Sequence, residues 1–176
     1  AETAGGSQIL VGGSEHDFQW WDHSRSTLID STITKSGGDT QAIEQFGNDL
    51  YFACHCDQYI FQGTNNWTTP TAFRAVNTIM LVGRFNATTR DYDTSWYPAA
   101  LRGEVTDGVW GISKDPRDCL WVAGDLTRGA TSGDAASDWL GGFGRFCPTD
   151  STPPTTPSNF SATVGTDSVN LSWGAS

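Results

Sequence analysis

Apolar residues occur along this chain in short runs separated by polar and glycine-rich turns, and their spacing is typical of β-strands. Three of these runs share one form, β-favouring apolar residues that end in small ones, and they occupy residues 9–13, 50–54 and 120–124. Each run is followed by a short aromatic segment, and these segments occupy residues 19–21, 83–85 and 144–146. Apolar residues nowhere keep helical spacing over the length of a helix. We therefore predict an all-β fold.

The recurrence of one strand pair predicts a fold built from repeats. The first two copies lie about 40 residues apart, which is the length of a four-stranded propeller blade. The second and third copies lie about 70 residues apart, and we attribute the difference to loops inserted near residues 57–77 and 126–138. We therefore predict that residues 1–147 form part of a β-propeller, with about three incomplete blades. Because a closed propeller needs ~4–8 blades, further blades are expected upstream of this sequence.

The pattern changes at the end of the chain. Residues 148–157 include four prolines among ten residues, which predicts a stiff linker that stays out of any sheet. Residues 158–176 then contain two segments of alternating apolar and polar residues around a Gly-Thr-Asp turn, and the second segment ends in a Trp. These features predict two strands of a β-sandwich.

The tail resembles the start of a fibronectin type III domain. The resemblance rests on Pro154 and Pro157, on the segments 160–164 and 169–173, and on Trp173, which stands where that family has a buried Trp at the end of its second strand. It implies that the tail is the first two strands of such a domain. A complete sandwich of this type needs about 90–100 residues, so the sequence is expected to be a fragment of a longer protein.

The region before the linker resembles the propeller-like repeats that precede fibronectin modules in large secreted bacterial proteins. Residues 120–125, 142–146 and 83–85 carry this second resemblance. It implies a bacterial protein at the cell surface or outside the cell. Other chains that complete the propeller are among the partners it implies.

The charge of the chain limits its partners. Its 176 residues carry a net charge of −10, and its two lysines are Lys35 and Lys114. A chain this acidic lacks the basic surface that nucleic acids and anionic lipids require. No apolar run in the sequence approaches the ~20 residues of a membrane-spanning helix. We therefore expect no nucleic-acid partner and no membrane insertion.

Four cysteines, in a chain rich in Gly, Ser and Thr, predict an oxidising and therefore extracellular compartment. Sequence alone allows three sets of pairs among four cysteines. If the third apolar run pairs with its aromatic segment so that Val122 lies opposite Gly144, the same antiparallel register places Cys119 opposite Cys147. We therefore predict a disulfide between Cys119 and Cys147.

The segment Cys54-His55-Cys56 has two interpretations. By elimination, Cys54 and Cys56 form a second disulfide, unless both pair with residues outside this sequence. Alternatively, the three side chains hold a soft metal ion, because thiolates and imidazoles bind zinc and copper, although the spacing differs from that of structural zinc sites. A calcium ion is a further candidate, at Asp91 and Asp93, without an EF-hand pattern. The main expectation is that the protein has no cofactor.

Aromatic side chains are the main candidates for ligand contact, because their flat apolar faces can stack on sugar rings. The candidates are Trp20, Trp21, Tyr59, Trp67, Trp96 and Tyr97. Trp20 and Trp21 are adjacent on a strand and face opposite sides, so one of them can be exposed. Tyr59 and Trp67 lie in the first inserted loop, where exposure is expected. The repeat strands carry other aromatic residues that we assign to the core: Trp110, Trp121 and Phe146.

Catalytic groups are not apparent in the sequence. Acidic pairs such as Asp115 and Asp118 are typical of turns, whereas a glycosidase needs two carboxylates ~5–10 Å apart across a cleft. The three histidines are not accompanied by a G-x-S-x-G nucleophile motif. We therefore predict an extracellular binding or adhesion module that recognises a polysaccharide or a protein without catalysis. The alternatives are a fragment of a secreted polysaccharide hydrolase and a structural subunit of an extracellular assembly.

Overall fold

A computed structural model describes residues 1–3, 6–13, 16–66, 71–98, 100–104, 107–129, 138–148 and 158–174, apart from the side chains of residues 36 and 37. The described residues contain no helix, so the prediction of an all-β fold is confirmed. These residues therefore include no helix that could cross a membrane. The strands, in chain order, are β1 (Gln8–Gly12), β2 (Asp17–Asp22), β3 (Leu28–Phe46), β4 (Asp49–Gln62), β5 (Ala75–Asn86), β6 (Gly108–Lys114), β7 (Leu120–Asp125), β8 (Arg128–Gly129), β9 (Asp138–Trp139), β10 (Phe143–Phe146), β11 (Ser161–Val164) and β12 (Val169–Ser172).

The first five strands form one antiparallel sheet in chain order, and this sheet curls into a nearly closed, barrel-like shape. Its inner side holds a first core of large apolar side chains. Phe18 and Phe52 stack with ring centroids 5.4 Å apart, and Trp20 meets Phe85 edge-on at 5.2 Å. Because side chains alternate along a strand, Leu50 and its even-numbered neighbours on β4 face this core.

A smaller sheet, in the order β10-β7-β6, packs on the outer side of the first sheet. The second core lies between the two sheets. Tyr51 and Ala53 reach it from β4, and Leu120 and Val122 reach it from β7. The first half of β4 therefore has a buried side chain at almost every position, because each of its faces covers a different core.

The pairing of β4 with β5 is interrupted in the middle of both strands. β4 pairs regularly with β5 up to Ala53 and again from Asp57. Between these two positions, three residues of β4 lie opposite the single residue Leu81 of β5, whose backbone φ is +60°. Beyond this bulge the smaller sheet no longer covers the outer side of β4, since Tyr59 and Phe61 there are exposed or half-buried. We call this uncovered outer side of β4 and β5 the open face.

The three strand pairs that the sequence pattern predicts are all present. Leu10 pairs with Trp20, Phe52 pairs with Gly83, and Val122 pairs with Gly144, each in an antiparallel ladder. The first two pairs nevertheless belong to one continuous five-stranded sheet, and they do not form separate four-stranded blades. The reason is the length of β3, which is 19 residues long and pairs with both β2 and β4.

The tail forms the predicted hairpin of β11 and β12, with Thr163 opposite Asn170. Its apolar side chains lie largely in solvent: Phe160, Val164, Val169, Leu171 and Trp173. Residues 149–157, which make up nearly all of the predicted linker, lie outside the described residues.

Candidate functional site

The adjacent residues Trp20 and Trp21 face opposite sides of β2, as predicted. Trp20 has no exposed surface and packs against Phe18 and Phe85 in the first core, so it is removed from the candidate ligand contacts. Trp21 lies half-buried on the outer side. Its indole Nε1–H donates to Gln19 Oε1 at 2.8 Å, which fixes the orientation of the ring.

Trp96 lies in a groove between the two sheets, where it acts in packing. The Arg84 guanidinium lies 5.8 Å from its ring centroid, and the rings of Tyr51 and Phe146 meet it edge-on at 5.4 and 5.6 Å. Tyr97 also packs against the second core. The groove has a volume of ≈ 180 Å³.

The two cations of this groove are both paired with carboxylates. Arg84 Nε donates to Asp93 Oδ2 at 2.9 Å, and Lys114 Nζ lies 2.6 Å from Asp118 Oδ1. Asp49, a third carboxylate of the groove, lies 3.9 Å from Arg84. Burial opposes ionisation of Asp93, but hydrogen bonds from Ser95 and Arg84 outweigh it and lower the pKa of that carboxyl. Because both cations already have carboxylate partners, the described residues of this groove offer no unpaired cation to an anionic ligand.

The open face carries a continuous row of aromatic rings. Tyr59 and Phe61 lie on the same side of β4, with centroids 6.4 Å apart, and Phe73 meets Phe61 edge-on at 5.1 Å. Val76 on β5 pairs with Phe61 and extends the apolar surface. The exposed fractions of Tyr59 and Phe73 are 49% and 43%. We call Tyr59, Phe61 and Phe73 the aromatic row.

The described ends of the loop that carries Phe73 are held in place by hydrogen bonds and ion pairs. At the end of β4, Gly63 adopts a φ of +76°, which favours glycine and turns the chain. The chain returns so that the Arg74 backbone N–H donates to Gln62 O at 2.7 Å. The Arg74 guanidinium then lies 3.0 Å from the mostly buried carboxylate of Asp30. The position of Phe73 is therefore set before any ligand binds. Trp67, the other candidate of this loop, lies outside the described residues.

The structure joins Cys54 to Cys56 and Cys119 to Cys147 in two disulfides. Cys54 and Cys56 are buried in the first core, so their sulfur atoms are not thiolates available to a soft metal ion. His55 faces the other side of β4, where its Nε2 accepts a hydrogen bond from Trp110 Nε1–H at 2.9 Å. The prediction of a soft metal site at these three residues is therefore corrected.

The candidate calcium ligands Asp91 and Asp93 each lie close to an arginine. Asp91 lies 3.9 Å from Arg74, Asp93 binds Arg84, and the buried Tyr92 separates them. Burial also raises the pKa of the Tyr92 phenol, whose hydroxyl donates to Thr78 O at 3.0 Å. Among the described residues, no group of three or more His, Cys, Asp or Glu side chains is placed to hold a metal ion.

Two tryptophans that the sequence pattern assigned to the core lie at the surface. Trp110 is 53% exposed, and Trp121 is half-buried on the outer side of the smaller sheet. A signal for Trp121 was present in the sequence, because its neighbours Leu120 and Val122 are apolar and alternation turns Trp121 to the opposite side.

Comparison of the chain with protein-family models, with curated proteins and with solved structures finds no match.

Proposed function

We propose that this protein is an extracellular, non-catalytic module that binds a polysaccharide through the aromatic row of the open face. The observation that carries the proposal is the series of three rings, with Tyr59 and Phe73 about half exposed on the uncovered side of a rigid sheet. Sugar rings have one apolar C–H face and a rim of hydroxyl groups. A row of fixed aromatic faces beside polar strand residues matches both parts of such a ligand.

A polysaccharide suits the aromatic row better than a protein partner does. A stable protein interface buries ~800 Å² on each partner, and a few side chains that are already half-buried contribute much less. The net charge of −10 also disfavours nucleic acid as the ligand. A neutral polymer that adds small contacts along its length is the ligand class that remains.

The two disulfides support the proposed extracellular location, because such bonds persist in oxidising compartments. We further infer that the tail is the start of a fibronectin type III domain. The β11–β12 hairpin supports this, since its exposed Leu171 and Trp173 would be covered by the rest of such a sandwich. We also propose that the three strand pairs descend from a propeller-like repeat, although the first two of them lie in one continuous sheet.

The test is a binding assay of the full chain on insoluble cellulose, chitin and xylan, with Tyr59→Ala and Phe73→Ala as variants. We expect the wild type to bind at least one of these polymers, and each variant to bind at least tenfold more weakly, which corresponds to about 1.4 kcal/mol. Phe160→Ala is the matched control, since it removes an exposed ring from the tail hairpin. Equal binding by the wild type and both variants would contradict the proposal. Release of reducing sugar by the wild type would contradict its non-catalytic part.

A further inference from the structure

The outer side of the smaller sheet contains a hollow with two aromatic walls. Trp121 on β7 and Phe143 on β10 form the walls, with ring centroids 6.1 Å apart and planes inclined by 39°. The floor consists of the small residues Gly111 and Ala123, which lie in one row with Phe143 across the three strands, and Ser113 pairs with Trp121. The volume of the hollow is ≈ 250 Å³.

The ring of Trp121 is held in one orientation. Its Nε1–H donates to Asp115 Oδ2 at 3.1 Å, and the Arg145 guanidinium lies 5.3 Å from its ring centroid. Arg145 Nη2 donates to the same carboxylate oxygen at 3.1 Å. The other oxygen of Asp115 accepts the backbone N–H groups of Arg117 and Cys119 at 2.8 and 3.1 Å. Asp115 therefore connects the indole to the backbone of the turn before β7.

The second disulfide ties the two walls together. Cys119 lies one residue before β7, Cys147 lies one residue after β10, and their Cα atoms are 4.1 Å apart. The strands that carry Trp121 and Phe143 are thus joined by a covalent bond as well as by their ladder. Binding to walls that are already fixed costs little conformational entropy, which is a property of built ligand sites.

The charge and size of the hollow define its ligand. Arg145 and Asp115, which contact the Trp121 wall, neutralise each other, so a charged ligand finds no unbalanced partner in them. The apolar floor and walls match the C–H face of a sugar ring, while the exposed Ser113 hydroxyl matches its hydroxyls. The volume lies below the ~300–1,000 Å³ of sites for drug-sized ligands, so it suits one ring.

We propose that this hollow is a binding site for one ring of a neutral sugar, separate from the aromatic row of the open face. The site uses residues of the smaller sheet alone, so it stands whether or not the open face binds a polysaccharide.

Gly111 makes a sharp test possible. A Cβ at Gly111 would meet no atom within 4 Å, so Gly111→Val places a side chain in the hollow without displacing the protein. Gly13→Val is the matched control, because a Cβ there also meets nothing and Gly13 lies beside the other sheet. Phe143→Ala is a second variant that removes an exposed wall, and the thermal unfolding of every variant is measured beside the binding.

The assay is an NMR titration of the full chain with glucose, galactose, mannose, xylose and N-acetylglucosamine, followed at the indole N–H resonance of Trp121. We expect at least one sugar to shift this resonance, and we expect at least tenfold weaker binding in Gly111→Val and Phe143→Ala. Gly13→Val should bind as the wild type does. The proposal is overturned if no sugar shifts the resonance or if Gly111→Val binds normally.

Discussion

At the scale of single residues, Asp115 is a half-buried turn residue whose carboxylate joins several parts of the smaller sheet. It accepts hydrogen bonds from the Trp121 indole, from Arg145 and from two backbone N–H groups. The pKa of Asp115 is lowered to about 2. The hydrogen bond from the Trp121 indole is the main cause, and the backbone N–H groups and the charge of Arg145 add to it. The carboxylate form is therefore the one that the folded turn stabilises.

The lowered pKa of Asp115 predicts a pH dependence of stability with a definite sign. A carboxyl whose folded-state pKa is depressed contributes stability above its ordinary pKa of 3.8, and that contribution is lost as the pH falls toward about 2. Asp115→Asn should therefore melt at a lower temperature than the wild type at pH 6, and the difference should shrink between about pH 4 and pH 2. Thermal unfolding followed by circular dichroism over this range measures it. A difference that stays constant with pH would contradict the assignment.

Gly13 and Gly124 stand at the same position of the repeat but differ in the space available for a side chain. A Cβ at Gly124 would overlap the carbonyl of Gly108 on the neighbouring strand, whereas a Cβ at Gly13 meets nothing. Gly124→Ala should therefore lower the free energy of unfolding by about 1–3 kcal/mol, because the backbones of β6 and β7 must separate. Gly13→Ala is the control and should change it by less than ~0.5 kcal/mol. Urea denaturation gives both values, and equal effects would show that the close approach is absent.

At the scale of elements, β4 organises the molecule. One side of β4 enters the first core through Leu50, Phe52, Cys54, Cys56 and Ile60. On the other side, Tyr51 and Ala53 enter the second core before the bulge, and Tyr59 and Phe61 are exposed or half-buried after it. His55 lies at this boundary, where it meets Trp110 of the smaller sheet. Trp110 is the extra residue between the paired positions Val109 and Gly111, and such a bulge turns a side chain away from its usual side.

The Cys119–Cys147 disulfide is the covalent element of the smaller sheet. It closes a loop with a sequence separation of 28 residues, and loops of this length give on the order of 3 kcal/mol of stabilisation in the chain-entropy model. Replacing both cysteines with Ala should lower the free energy of unfolding by a comparable amount. It should also broaden the Trp121 indole resonance, because the strands that carry Trp121 and Phe143 are then no longer joined by a covalent bond. An unchanged resonance together with unchanged stability would contradict this role.

At the scale of the whole molecule, the dominant electrostatic feature is the excess of acidic over basic residues. The net charge of −10 means that the acidic side chains repel one another, and this repulsion is stronger in the compact folded state than in the unfolded chain. Raising the NaCl concentration from about 10 mM to about 150 mM should therefore raise the melting temperature at pH 7, because salt screens this repulsion. The gain should shrink near pH 4, where carboxyl groups are partly protonated. A melting temperature that falls with salt at pH 7 would show that the local ion pairs outweigh the repulsion.

The strand pairs and much of their register follow from local sequence patterns. Alternation and turn residues are local properties, so they predict the pairing of Val122 with Gly144 and the meeting of Cys119 with Cys147. They also predict that Trp20 and Trp21 face opposite sides. The sequence pattern did not predict that the first two pairs share one sheet, because that depends on how far β3 continues through its glycines at 37 and 38.

Which strand faces are covered depends on how the two sheets pack against each other. Tyr51 and Tyr59 lie on the same strand and on the same side of it, and alternation treats them alike. Tyr51 is buried and Tyr59 is exposed because the smaller sheet packs over one half of β4 and ends before the other. The same placement leaves Trp121 on an outer side. Burial depends on contacts between segments far apart in the chain, and local residue patterns carry no record of those contacts.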